Sequence, residues 1–125
     1  MIRDWDIIRD ILSQLEDKPA EKHSLCLDDF NKEKQPLTSY NIELLIEAGL
    51  VCGSMSKTIG GTISDFIALR LTWEGHEFLD TIRSDSVWNK TKASFMKQGL
   101  SMTVELIKSV ATSIATELLK KQLNY

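Results

Sequence analysis

The amino-acid sequence predicts an α+β fold, and three observations predict it. A helical stretch from Thr38 to Ala48 stops at Gly49. Two strand-like runs, Leu50 to Lys57 and Thr62 to Leu71, flank Gly60-Gly61. Thr72 then opens another helix that runs through Ile82. Helix, two-stranded wing, helix is the order of a winged helix-turn-helix core. The residues behind it read as helix only. The expected organisation is a winged-helix domain over residues 1–83 and a helical extension over 84–125, which either oligomerises or packs on the core.

Each element has its own justification. Trp5, Ile8, Ile11, Leu12 and Leu15 recur at helical spacing, with Asp6, Arg9, Asp10 and Gln14 off that face, so residues 4–16 form a first amphipathic helix that Pro19 helps to end. His23 to Leu27 alternates weakly and reads as a short strand. Asp28 to Pro36 is polar, and Pro36 limits any second helix to something short or distorted. Thr38 or Ser39 is the expected cap of the next helix, whose apolar arc gathers Leu37, Tyr40, Leu44, Leu45 and Ala48. Ile42 and Ile46 fall outside that arc and call for a covering element. Gly49 suits a left-handed C-cap and Gly60-Gly61 a tight hairpin turn. In the second strand Ile63, Ile67, Leu69 and Leu71 share one parity, and Phe66, Ala68 and Arg70 the other. Thr72 caps the helix that follows. Ser84 or Asp85 caps a short helix bearing Val87, Trp88 and Phe95, which Gly99 breaks. A last long helix begins near Ser101, with Leu100, Val104, Ile107, Ala111, Ile114 and Leu118 on a heptad seam.

Composition narrows the functional classes. Of 125 residues, 42% are hydrophobic and 26% charged, which fits a folded globular chain rather than a disordered one. No apolar run reaches the length of a membrane span, and the charged N-terminus has no signal-peptide core, so a cytoplasmic protein is expected. Cys26 and Cys52 form no C-x-x-C pair and are read as buried free thiols. The net charge of −3 is uneven. Residues 84–125 carry six Lys against Asp85, Glu105 and Glu117, while residues 1–83 carry nine basic side chains against fifteen acidic ones. The half with the DNA-binding layout is therefore the acidic half, and phosphate neutralisation dominates affinity for nucleic acid.

Four segments carry a family resemblance: Asp6-Ile7-Ile8-Arg9-Asp10-Ile11-Leu12, Leu44 to Val51, Leu71 to Asp80, and Val87 to Lys92. In that order they resemble a family of short bacterial and phage proteins catalogued as a domain of unknown function, with a winged-helix-like core. The resemblance implies no activity, ligand or catalytic residue. It also has one departure, since Tyr40-Asn41 stands where the family often has Tyr-His, so no histidine role carries over.

The residues bear on three functional classes. For DNA, the candidate contacts are Ser39, Asn41, Lys57, Thr58 and Thr62, but Glu43 and Glu47 share the outward stripe of the would-be reading helix and repel phosphate. For catalysis, His23 and His76 have no partners at metal-ligand spacing, and no nucleophile motif or phosphate-cradling loop is present. No enzyme, cofactor or metal is expected. For assembly, the heptad seam of the last helix offers an apolar stripe to a second copy. The leading expectation is a non-enzymatic adaptor or regulator that binds proteins and forms a homodimer. DNA stands second, and no membrane role is expected.

Overall fold

The computed structural model describes residues 1–123. The fold is α+β, with five α-helices and one two-stranded antiparallel sheet among the described residues: α1 (Trp5–Asp17), α2 (Gln35–Glu47), β1 (Val51–Lys57), β2 (Ile63–Leu71), α3 (Trp73–Ile82), α4 (Asp85–Gln98) and α5 (Val104–Leu123). The chain divides into two compact units, Met1–Glu77 and Phe78–Tyr125, with the division inside α3 rather than at the expected 83/84.

In the first unit α1 follows its sequence closely. Asp4 caps it by accepting a hydrogen bond from the Ile7 N–H, and Ile8, Ile11, Leu12 and Leu15 are buried. The connection to α2 contains two single-turn 3-10 segments, Leu27–Asp29 and Lys32–Lys34, where a short or distorted helix was expected. Between α1 and these turns, Leu25 exchanges both main-chain hydrogen bonds with Ala68, so the expected short strand is reduced to a single bridge on β2.

α2 departs from its sequence reading in two ways. It starts at Gln35, with Pro36 in its first turn, so neither Thr38 nor Ser39 is its cap. Pro is well tolerated there because the first-turn N–H groups have no intrahelical acceptor to lose. The buried face is Thr38, Asn41, Ile42 and Leu45, joined by Ser39. Ile42, placed off the apolar arc by periodicity, is fully buried, whereas Leu37, Tyr40 and Leu44 are half-buried and Ala48 is exposed. The helix has apolar residues around most of its circumference, so spacing alone did not single out the face that α1 and the sheet cover.

Gly49 ends α2 at φ 77°, as expected of a left-handed cap, and the Leu50 N–H bonds back to Leu45 O. The hairpin turn spans Thr58 to Thr62, where Gly61 takes φ 86° and Thr58 Oγ1 accepts from the Thr62 N–H. β2 is two residues longer than β1, and register shifts at Cys52/Gly53 and Ser56/Lys57 absorb the difference. These shifts reset the strand's alternation. Phe66 and Ala68 face inward, and after the first bulge Leu71 does too, leaving Ile67 and Leu69 exposed. The single parity expected for Ile63, Ile67, Leu69 and Leu71 is thus broken by a bulge. Inside, the Phe30 and Phe66 rings lie 5.8 Å apart at 55°.

Thr72 caps α3, accepting from the Gly75 N–H, and Gly75 lets that turn pass the Leu50 carbonyl at a distance no Cβ would permit. In the second unit Ser84 caps α4, and Gly99 closes it at φ 66° with Leu100 N–H bonded to Phe95 O. Thr103 caps α5 through the Leu106 N–H. α4 and α5 pack on one another. Phe78, Leu79, Ile82, Val87, Trp88, Phe95, Ile107 and Ala111 are buried in this unit.

Candidate functional site

The surface built by α2 and the hairpin is the place to look for ligand contacts. The cation at the hairpin tip, Lys57, is held by Glu43 of α2, with Nζ 2.6 Å from Oε2. Glu47 lies one turn further along the same helix and is exposed. At the hairpin tip the positive charge is therefore paired, while the carboxylate of Glu47 further along α2 is exposed.

The five candidate nucleic-acid residues separate into two groups. Thr58 and Thr62 sit at the exposed hairpin tip beside Lys57, where their hydrogen bonds shape the turn. Ser39 and Asn41 are buried, which corrects their assignment as contacts. Asn41 has an internal task. Its Oδ1 accepts from the Asp4 N–H at 2.9 Å, and its Nδ2 donates to Leu37 O at 2.8 Å and to Ile2 O at 3.5 Å. It ties the residues that cap α1 to the body of α2. Sequence reasoning missed this, although a lone Asn between Tyr40 and Ile42 on a mostly apolar helix is itself a signal, because a buried amide must find partners.

The candidate oligomer seam also divides. Ile107 and Ala111 are fully buried within one copy, so they line no surface, and their place in a dimer seam is corrected. Val104, Ile114 and Leu118 are half-buried, and Leu100 is exposed ahead of the helix. α5 has 20 residues against 14 in α4, so it is longer by roughly 9 Å at 1.5 Å per residue. Beyond the buried pair it exposes Leu119 and Leu123.

Other chemistry-bearing groups are accounted for locally. His76 Nδ1 lies 3.5 Å from a Glu16 carboxylate oxygen on the surface. Both cysteines are unpaired and half-buried rather than fully buried. Asp29 accepts from the Cys26 N–H and is 3.0 Å from Lys22 Nζ. That hydrogen bond first, and the ammonium second, hold its carboxyl below its ordinary pKa. Among the described residues no group of three His, Cys, Asp or Glu is placed to hold a metal ion, and no helix is long and apolar enough to cross a membrane. Two open hollows of about 280 Å³ indent the first unit, one beside Asp6, Asp10 and Asp29, the other beside Pro36, Tyr40 and Ile63.

Residues 2–101 match the family described as "Hypothetical protein (DUF2513)". The chain belongs to that family. The DUF2513 match ends before α5 begins. A Haemophilus influenzae protein described as "Uncharacterized protein" is 38% identical over 119 residues, covering 95% of this chain and 99% of the relative, so that likeness extends beyond the residues of the family match. No solved structure matches the chain.

Proposed function

We propose that this DUF2513 chain is a non-enzymatic adaptor or regulator of bacterial or phage origin, acting in the cytoplasm through contacts with proteins, including a second copy of itself. The first unit is read as a winged helix. Its element order supports this: α1, the Leu25 bridge, two short turns in place of a second helix, α2 as the third, then the β1–β2 wing.

One observation carries the choice of ligand class, the Lys57–Glu43 ion pair. A winged helix that reads DNA sets its third helix in the major groove and its wing along the backbone, and both need positive charge aimed outward. Here the wing cation is turned onto the helix, and the helix offers carboxylates. The exposed Leu119 and Leu123 at the end of α5 support self-association instead. DNA is the second reading, favoured by the element order alone.

Sedimentation of the wild-type chain across concentrations tests the first reading. A dimer that the double variant Leu119→Asp, Leu123→Asp converts to monomer is the expected result. A wild-type chain monomeric at high concentration overturns self-association. A mobility shift at low salt, weakened by Lys57→Glu and abolished by raised salt, would select the DNA reading.

A further inference from the structure

The two edges of the β1–β2 sheet are treated differently. On the β2 side, Ala68 exchanges hydrogen bonds with Leu25, and Asp65 Oδ1 accepts from both the Leu27 and Phe66 N–H groups. That edge is closed by a bridge and a carboxylate. On the β1 side, α2 packs on the strand, with Glu43 on Lys57 and Ile46 beside Gly53, but among the described residues no strand or bridge pairs with the edge. β1 contains no proline, its one charge is Lys57 at the end, already bound to Glu43, and the extra residues of both register shifts are on β2.

The pleat gives the direction of the β1 main chain. Ala68 directs its N–H and C=O to Leu25, away from β1, so its antiparallel partner Gly53 directs its own away from β2. Phe66, whose N–H goes to Asp65, gives the same result for Met55. Gly53 and Met55 thus present donors and acceptors to the open edge. No hydrogen bond from outside the sheet reaches them among the described residues.

We infer that β1 is a self-pairing edge, on which β1 of a second copy docks antiparallel about a two-fold axis at Ser54 to make a continuous four-stranded sheet. The strand is self-complementary in that register. Gly53 of each copy exchanges main-chain bonds with Met55 of the other, and Cys52 meets Ser56 on the outer face, where Ser54 meets its own counterpart. On the inner face each Met55 side chain lies opposite Gly53, on the side where Ile46 of α2 packs. No charge meets a charge along Cys52 to Ser56, and the exposed Ile67, opposite Ser54 in register, borders the new strand pair on the outer face. This inference rests on the self-association proposed above but uses a surface in the first unit, separate from α5.

The Ser54 pair supplies the test. Ser54 is exposed, so a charge there leaves the monomer intact. Directly opposed non-hydrogen-bonded residues have Cα atoms about 4.5 Å apart, so like charges at the axis repel strongly. Ser54→Lys and Ser54→Asp are each expected to weaken dimerisation of the full chain by about tenfold or more, and their equimolar mixture to restore it as a heterodimer. Unchanged dimerisation of both variants overturns the edge inference. If Leu119→Asp with Leu123→Asp still dissociates the protein in that case, the α5 reading stands alone. A monomeric wild type overturns both.

Discussion

α1 and α2 have the same length, 13 residues each, and pack against one another, yet they bury different chemistry. α1 buries Ile8, Ile11, Leu12 and Leu15. α2 buries Thr38, Ser39 and Asn41 along with Ile42 and Leu45. An apolar face asks only for area to cover it, at about 25 cal/mol per Å². A mixed face also asks for specific partners, since a buried amide left unpaired costs about 1–3 kcal/mol. α2 meets that demand by binding the N-terminal segment through Asn41, and in doing so it positions the Asp4 cap of α1. The helix with the simpler face depends at its start on the helix with the mixed one.

The largest test of this contrast is in the core. Ile42→Ala in α2 is expected to cost about 2–5 kcal/mol in urea denaturation, as much as Ile11→Ala in α1. Leu44→Ala, on the arc periodicity favoured, is expected to cost less than about 2 kcal/mol because that side chain is half-buried. A reversed order of Ile42 and Leu44 breaks the assignment of the buried face. Next comes Asn41→Leu, expected to cost about 1–3 kcal/mol despite its added apolar volume, because it strands the Asp4 N–H. A neutral or stabilising result would show that the N-terminal segment finds its partners elsewhere.

Capping gives a smaller effect. Asp4→Ala is expected to cost about 1 kcal/mol, and Thr38→Ala or Ser39→Ala to leave the start of α2 intact, because that helix begins at Gln35. Amide exchange in the first turn of each helix reads the difference. The smallest effect lies in the connection between the two helices. Asp29 has a lowered pKa in the folded protein, so its stabilising contribution is present above the unfolded-state value and is lost as pH falls through the folded one. Its carboxyl resonance is expected to titrate below an ordinary aspartate, and Asp29→Asn to remove that part of the acid sensitivity.

Much of the fold was legible because its signals are local. The apolar 3-4 spacing of α1, Gly49 as a left-handed cap, Gly99 as a helix end, Thr72 and Ser84 as caps, and the glycine hairpin each act within a few residues, and each reappears in the structure. The candidate sites were less legible. Ser39 and Asn41 were placed on a surface because a polar residue on a helix is usually solvated, and Ile107 and Ala111 were placed on a seam because their spacing fits a partner helix in another copy as well as one in the same chain.

By itself, then, the sequence determined the order of the five helices and the hairpin and most of their ends, and that residues 1–83 are acidic and residues 84–125 basic. Those properties come from backbone preference, capping chemistry and charge, which act over one or two turns. Tertiary structure alone decided which face of α2 is inside, that a bulge turns Leu71 inward while Leu69 stays out, that Glu43 takes the wing lysine, and that β1 keeps an open edge while β2 is closed. Each of these depends on a neighbour distant in sequence. A helix apolar on most sides, or a strand with two possible pairing edges, has no preferred partner until the chain brings one to it.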